Sequence, residues 1–284
     1  MTDAYGVRLA RAVSERGPLC VGIDPHPSLL DDWGLPRTAS GLERMARGMV
    51  AALGPQVAVF KPQSAFFEAY GSAGIGVLER TLADIKAAGA LSLLDVKRGD
   101  LSSTMDAYAA AYLTDGSPLA ADAITLSPYL GFGSLASAIE QGLSQGRGVY
   151  VLALTSNPEG PQVQHARVAD GRWVGQVIID EAARHNPGPE PGSVGLVVGA
   201  TIGRTEADFS GVNSSILAPG LGAQGATAED LPAVFGPAAE LVLPSWSREV
   251  LAAGPDPATL QAIIEVLKGQ MSSTPGSDTD RGLG

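Results

Sequence analysis

The sequence predicts a single-domain α/β protein with the (β/α)8 architecture of the TIM barrel. Short apolar segments recur eight times along the 284 residues, and longer amphipathic stretches alternate with most of them. The length is slightly above the ~250 residues typical of one such barrel, although it would also accommodate two smaller domains. Eight alternating units favour a closed barrel over an open doubly wound sheet. No GxGxxG motif follows the first segment, which removes the main argument for a dinucleotide-binding fold.

The apolar segments have the length and composition of strands in a parallel sheet that is buried on both faces. The predicted strands are residues 19–24, 57–61, 91–97, 123–127, 149–155, 194–200, 216–219 and 241–245. The predicted helices are residues 40–53, 76–88, 103–113, 134–145, 173–184 and 256–268. Ser40 and Asp256 are residue types that cap helix N-termini, and Pro257 suits the first helical position.

Two segments fall outside this repeat. Residues 157–171 are polar, contain Pro and Gly, and are predicted to form a long loop after the fifth strand. Residues 271–284 are rich in Ser, Thr, Gly and Asp, a composition typical of disorder. We therefore expect a barrel domain over residues 1–270, followed by a disordered tail.

Composition and charge exclude several classes of function. A formal net charge of −11 argues against general binding to nucleic acid or to anionic membranes. No apolar run reaches the ~18 residues of a membrane span, and the N-terminus lacks the apolar region of a signal peptide, so a cytoplasmic location is expected. Cys20 is the only cysteine, and the three histidines are scattered. Neither a disulfide framework nor a thiolate or histidine-rich metal site is expected.

Charged and polar residues stand at the ends of the first four predicted strands. Asp24 closes the first strand, Lys61 the second, Asp95 and Lys97 the third, and Ser127 the fourth. The carboxyl ends of barrel strands converge on the active-site face. A single charge there would be an ordinary solvated strand end, but four ionisable groups on one rim predict a catalytic site.

The third strand supplies the most informative pattern. Asp95 and Lys97 are two residues apart and are expected to point the same way, and Asp100 lies in the turn that follows. Carboxylates on both sides favour the charged form of Lys97. An ammonium group held in that form is a poor imine-forming nucleophile and a good proton donor, so the pattern favours acid catalysis over aldolase-type chemistry.

The loops after the seventh and eighth predicted strands are typical of a phosphate site. Residues 219–225 form a glycine-rich loop that contains Gln224, and Arg248 follows the eighth strand. These two loops are where phosphates commonly bind in such barrels, through backbone N–H groups and a short helix N-terminus. A glycine-rich turn alone is weak support, but an arginine one strand later makes the pattern more specific.

At this point the sequence resembles the orotidine 5′-phosphate decarboxylase family, in the longer-chain variant of many bacteria (type 2). The resemblance is carried, in the expected order, by LCVGIDPHP, VFKPQSAFFE, LLDVKRGD, TLSPYLGFGSL, LTSNPEG, APGLGAQG and PSWSRE, which span most of the chain. The Asp-x-Lys-x-x-Asp pattern is shared with sugar-phosphate decarboxylases of the same superfamily. The segment 157–171 and the acidic tail depart from the shorter family members.

The resemblance implies a carboxy-lyase (EC 4.1.1.23) that converts orotidine 5′-phosphate (OMP) to UMP and CO2, the last step of de novo pyrimidine biosynthesis, without a cofactor or metal. It implies a charged catalytic array of Lys61, Asp95, Lys97 and Asp100, in which Lys97 protonates C6 of the pyrimidine. It also implies a homodimer in which Asp100 and Thr104 are offered to the neighbouring subunit's site.

The same resemblance implies the contacts with the substrate. Asp24 and Lys61 would hold the ribose hydroxyls, and Ser127 would read the pyrimidine edge. Gln224 and Arg248 would grip the phosphate, with Pro219 and Ser247 in the same substrate site.

Two alternatives remain open from the sequence. The first is a related decarboxylase or aldolase that acts on a sugar phosphate through an enediolate and needs a divalent metal. The second is a protein that binds a nucleotide or phosphate without turnover, which the intact Asp95–Lys97 pair disfavours. Carbanion chemistry usually borrows an electron sink such as pyridoxal phosphate or thiamine diphosphate, and no signature of either is evident.

Overall fold

Eight parallel strands close into a barrel in sequence order in the computed structural model, which describes residues 2–222 and 225–272. The strands are β1 (Cys20–Ile23), β2 (Val59–Pro62), β3 (Leu91–Arg98), β4 (Ala123–Leu126), β5 (Gly148–Leu154), β6 (Gly192–Val198), β7 (Ser214–Pro219) and β8 (Val242–Trp246). All eight predicted strands are confirmed, with small shifts at their ends. The predicted (β/α)8 fold class is therefore confirmed.

Helices surround this barrel and connect its strands. Those in the described residues are α1 (Tyr5–Arg16), α2 (Pro27–Asp32), α3 (Ala39–Leu53), α4 (Ser64–Glu68), α5 (Gly71–Ala87), α6 (Ser102–Leu113), α7 (Ala136–Ser144), α8 (Pro161–Gln164), α9 (Val174–Arg184), α10 (Leu231–Phe235), α11 (Arg248–Ala252) and α12 (Pro257–Ser272). Short 3-10 helices cover Phe132–Leu135, Ala228–Asp230 and Gly236–Leu241. None of the helices in this part of the chain has the length and apolarity needed to cross a membrane.

The helix caps confirm one prediction and correct another. Asp256 caps α12, because its carboxylate accepts hydrogen bonds from the backbone N–H of Thr259 at 2.9 Å and from that residue's hydroxyl at 2.8 Å. The cap of α3 is Thr38 and not Ser40, since the Thr38 side chain accepts a bond from the Gly41 N–H at 3.4 Å. Ser40 already lies in the first turn, where a small polar residue cannot be told from a cap by its type alone.

Two boundaries differ from the predicted ones. Helix α5 begins at Gly71, five residues before the predicted start. The glycines of this segment have low helix propensity, so the sequence alone did not indicate a helix there. A Cβ added at Gly74 would lie 2.0 Å from the Phe67 carbonyl oxygen, so this glycine permits close packing on α4. At the other end, α12 extends to Ser272, two residues into the predicted tail. Residues 273–284 lie outside the described residues.

The segment 157–171 contains more structure than the predicted loop. It includes α8, and its Arg167 forms an isolated antiparallel bridge with Trp173, which lies just after the segment. Gln164 fastens it to the end of β5, because its side chain accepts the Thr155 N–H at 2.9 Å and donates to the Thr155 hydroxyl at 2.6 Å. The insert is thus anchored beside the carboxyl ends of the strands.

The opposite end of the barrel is closed by α1, a helix that the sequence reading did not assign. Its residue Tyr5 is buried among interior side chains, and its hydroxyl lies 3.1 Å from that of Tyr150. A Cβ at Gly148 would lie 2.3 Å from the Tyr5 ring, so the ring fits only against glycine. Cys20 is fully buried nearby, and burial raises the pKa of its thiol to about 12. The barrel interior is therefore filled at the amino ends of the strands and accessible at their carboxyl ends.

Candidate active site

A buried carboxylate lies at the centre of this rim. The side chain of Asp95 accepts hydrogen bonds from the ammonium of Lys97, at 2.7 Å to each oxygen, and from the Lys61 ammonium at 3.4 Å. It also accepts the Thr125 hydroxyl at 2.7 Å and the Gln63 side-chain amide at 3.0 Å. The predicted convergence of lysines and carboxylates on one rim is present in the structure.

The two lysines decide the ionisation of this cluster. Burial disfavours the Asp95 carboxylate, but the charges of Lys61 and Lys97, with the bonds from Lys97 and Thr125, outweigh it and lower its pKa to about 2. Burial likewise opposes the charge on Lys61, yet Asp24 and Asp95 together raise the pKa of that ammonium. Asp95 and Lys61 therefore hold each other in their charged forms, with help from the groups around them.

The ionised Asp95 predicts a loss of stability in acid. Its folded-state pKa lies below the ordinary value of 3.8, so its contribution is present above that value and disappears as pH falls toward about 2. Between pH 5 and pH 3 the free energy of unfolding should fall by about 1 kcal/mol through this group. Urea unfolding of the native protein and of the Asp95→Asn variant at both pH values isolates the part of this loss of stability that is due to Asp95. An equal loss in the variant would contradict the assigned ionisation.

Lys97 occupies an unusual backbone conformation. Its φ angle is +45°, in the left-handed region, which costs a residue other than glycine about 1–2 kcal/mol. The pairing of β3 with β4 also shifts register between Leu94 and Arg98. Asp95 and Lys97 do point into one site as predicted, but through this irregularity and not through simple strand alternation.

Thr125 and Gln63 are two site residues that the sequence reading missed. Thr125 lies in β4, two positions before the predicted Ser127, and its hydroxyl also accepts the Lys97 backbone N–H at 2.9 Å. Gln63 follows β2, two positions after Lys61. Both share a strand face with a residue that was identified, and this spacing of two was the available signal.

Two buried polar atoms without partners mark the neighbouring part of the rim. Asp24 Oδ1 and Ser247 Oγ are both buried and accept or donate no hydrogen bond, although Asp24 Oδ1 lies 3.7 Å from the Lys61 ammonium. A Cβ at Gly22 would lie 2.6 Å from Ser247 Cβ and 3.1 Å from Asp24 Oδ2. The absence of a side chain at Gly22 thus leaves room for Asp24 and Ser247 to lie close to β1. Unsatisfied buried groups of this kind call for a polar ligand, such as a hydroxyl.

The predicted phosphate loops border a cavity. A cavity of about 700 Å³ is lined by His26, Ser28, Leu29, Gly222, Arg248, Glu249 and Ala252. Arg248 is exposed there at the start of α11, and Ser247 precedes it as the N-cap residue. The predicted Gln224 lies outside the described residues. The Pro219 carbonyl is engaged within the fold, since it accepts the Ala200 N–H at 2.9 Å.

Comparison with known proteins assigns the family. The model of the orotidine 5′-phosphate decarboxylase / HUMPS family matches residues 17–263, which include every element of this rim. The chain belongs to this family. A Salinispora arenicola protein named orotidine 5′-phosphate decarboxylase is 62% identical over 264 residues, 93% of this chain and 95% of that protein. The family predicted from the sequence motifs is thereby confirmed.

Solved structures agree with the fold. A Streptomyces avermitilis crystal structure described as an orotidine 5′-phosphate decarboxylase superposes with a TM-score of 0.93 at 54% identity and covers 95% of each chain. The Leishmania donovani OMP decarboxylase superposes with a TM-score of 0.72 at 27% identity and covers 94% of this chain and 99% of that one. The barrel described above is therefore the fold of these structures.

Three of the predicted site residues stand apart from the charged cluster. The Asp100 carboxylate accepts the Leu101 N–H at 2.8 Å and forms no ion pair within the described ranges. Thr104 is exposed on α6. Ser127 donates its backbone N–H to the Arg98 carbonyl at 2.7 Å, so its backbone is fixed beside β3. A single chain therefore brings together Asp24, Lys61, Asp95 and Lys97, and leaves Asp100 and Thr104 outside that cluster.

No group of three or more His, Cys, Asp or Glu side chains is arranged to hold a metal ion in residues 2–222 and 225–272.

Proposed function

We propose that this protein is an orotidine 5′-phosphate decarboxylase (EC 4.1.1.23), a carboxy-lyase that converts OMP to UMP and CO2 without a cofactor. The observation that carries the proposal is the Asp95 carboxylate held between two lysine side chains, one buried and one 46% exposed. Family membership supplies the substrate. The activity completes de novo pyrimidine nucleotide synthesis.

Lys97 is the proton donor in this proposal. Loss of CO2 from C6 leaves carbanion character in the ring plane, where no adjacent carbonyl delocalises it. A nearby ammonium stabilises that charge as it develops and then transfers a proton to C6. Lys97 suits this role because its ammonium is partly exposed, whereas the Lys61 ammonium is enclosed between Asp24 and Asp95.

Asp95 has two effects in the proposed reaction, one on the substrate and one on Lys97. Its charge faces the site where the departing carboxylate would lie, and their repulsion is relieved as neutral CO2 leaves. Its bonds from Lys97 also fix the ammonium in position before the substrate arrives. A charged group that is already oriented needs little reorganisation during the reaction.

Electrostatics at C6 are one part of the required stabilisation. Each tenfold of rate corresponds to about 1.4 kcal/mol, and the largest known accelerations need roughly 20 kcal/mol or more. One lysine cannot supply that amount. Binding energy from the phosphate, which Arg248 and Gln224 grip in this proposal, also contributes by positioning the ring. In this proposal Asp24 and Lys61 hold the ribose hydroxyls, Ser127 reads the pyrimidine edge, and Pro219 and Ser247 also line the substrate site.

The active unit in this proposal is a homodimer. Asp100 and Thr104 lie outside the cluster of their own chain and are available to a neighbouring site. The expected cytoplasmic location belongs to the same proposal.

The decisive experiment follows the ultraviolet absorbance of OMP after addition of the purified protein. A decrease at the rate of UMP formation, unchanged by EDTA, supports the proposal. Turnover of a sugar phosphate that EDTA abolishes would support the metal-dependent alternative. Binding of UMP without any turnover of OMP would identify a nucleotide-binding protein instead.

Arg248→Ala tests the phosphate contact. The variant should lose far more efficiency with OMP than with orotidine, which lacks the phosphate, because only OMP engages the guanidinium. Steady-state kcat/KM for both substrates gives the comparison, and Arg44→Ala, an exposed arginine on α3, serves as the matched control. Equal losses with both substrates would remove Arg248 from the phosphate site.

A further inference from the structure

We propose that the Thr125 hydroxyl is a positioning group that holds both Asp95 and the backbone of Lys97 in their catalytic arrangement. The proposal rests on the proposed function for its kinetic consequence, but its geometry belongs to the fold. Thr125 is 1% exposed in β4, and its hydroxyl forms two bonds across to β3. It contributes no charge and acts through its two neighbours.

The first of these bonds replaces a missing sheet contact. In the β3–β4 pairing, Leu94 stands opposite Ile124 but Arg98 stands opposite Leu126, so β3 has two more residues than β4 over this stretch. The ordinary ladder is interrupted there. The Lys97 N–H donates instead to Thr125 Oγ1 at 2.9 Å, which satisfies a backbone group that the irregularity would leave without a partner.

The same bond restrains the left-handed backbone of Lys97. A non-glycine residue remains at a φ of +45° only when its surroundings hold it there. The neighbouring ladder does not do so, because its register changes at this point. Thr125 supplies a specific contact on the residue itself and thereby fixes the direction in which the Lys97 side chain leaves the strand.

The second bond, to Asp95, determines which of the two contacts the Thr125 hydroxyl donates and which it accepts. A hydroxyl has one proton, and here it is donated to Asp95 Oδ1 at 2.7 Å while the lone pairs accept the Lys97 N–H. Because Asp95 Oδ1 also accepts the Lys97 ammonium at 2.7 Å, the three groups form a closed ring of contacts. Displacement of either catalytic residue stretches a bond to Thr125.

A three-variant series separates the hydroxyl from the shape of the side chain. Thr125→Val keeps the branched shape and removes both bonds, Thr125→Ser keeps the hydroxyl, and Thr125→Ala removes both features. We expect kcat for OMP to fall roughly 10–100-fold in the Val and Ala variants with a much smaller change in KM, because the reacting groups are misplaced. Thr125→Ser should recover most of the rate.

The matched control is Thr81→Val. Thr81 is fully buried in α5, and its hydroxyl donates to the Val77 carbonyl at 2.9 Å, remote from the rim. This change also removes a buried threonine hydroxyl, but at a position that does not contact the site. It should leave kcat and KM unchanged.

A second readout does not depend on activity. Hydrogen exchange of the Lys97 amide, followed by NMR, should be about tenfold faster or more in Thr125→Val than in Thr125→Ser, because only the former lacks the acceptor. Equal exchange in both variants, or a Thr125→Ala enzyme as fast as wild type, would overturn the positioning role. Absence of OMP turnover in the wild-type protein would instead overturn the proposed function and leave the exchange test intact.

Discussion

Replacement of Lys97 with alanine is expected to lower kcat for OMP by at least about 10²-fold, within the ~10²–10⁴-fold range for loss of a general acid. The change removes the proton donor and the charge that stabilises the carbanion. Steady-state measurements at saturating OMP report this loss directly.

The fold should survive this substitution. The Lys97 side chain is 46% exposed, and Asp95 retains its bonds from Lys61, Gln63 and Thr125. Lys86→Ala is a matched control, because Lys86 is an exposed lysine on α5 away from the rim. Unchanged circular dichroism with more than about a hundredth of wild-type turnover in Lys97→Ala would contradict the assigned role.

The strands were predictable because burial on both faces leaves a strong local signal. Each of the eight strands is an apolar run of strand length, as in β5 (Gly148–Leu154), and such runs are typical of parallel sheets. Helix boundaries were less predictable, since they depend on tertiary contacts. Gly74, for example, weakens the helical pattern of α5 and is required by its approach to Phe67.

The role of α1 could not be found from the sequence for a similar reason. The helix itself is amphipathic, but the burial of Tyr5 inside the barrel depends on the open space at Gly148 and on the Tyr150 hydroxyl. Tyr5 is separated from Tyr150 by 145 residues in the chain. Only the closed barrel brings them together.

The candidate site was predictable where charge marked it. Lys61, Asp95 and Lys97 stand out because several ionisable residues end neighbouring apolar strands, whereas one alone would be an ordinary solvated strand end. Thr125 carries no charge and is a common strand residue, so only its spacing of two from Ser127 pointed to it, and its two bonds could not be predicted. The register shift that creates the need for it arises from pairing between two strands, which no single segment encodes.

Asp100 is expected to complete the active site of a partner subunit. It lies three residues beyond Lys97, yet within the described part of one chain it forms no ion pair with the lysine cluster. A two-fold dimer presents the same surface twice, so two Asp100 residues would complete two sites. Lys97→Ala and Asp100→Ala should therefore each be inactive alone and recover activity when mixed.

The size of the recovery follows from counting sites. Random exchange makes half of the dimers mixed, and each mixed dimer has one site with both lesions and one with neither, so about a quarter of wild-type sites return. Asp100→Asn should be mixed in parallel, because its side-chain oxygen can still accept the Leu101 N–H that opens α6. Subunit exchange confirmed by native mass spectrometry without recovered turnover would place Asp100 in the site of its own chain. Recovery with both variants would show that its carboxylate acts across the interface.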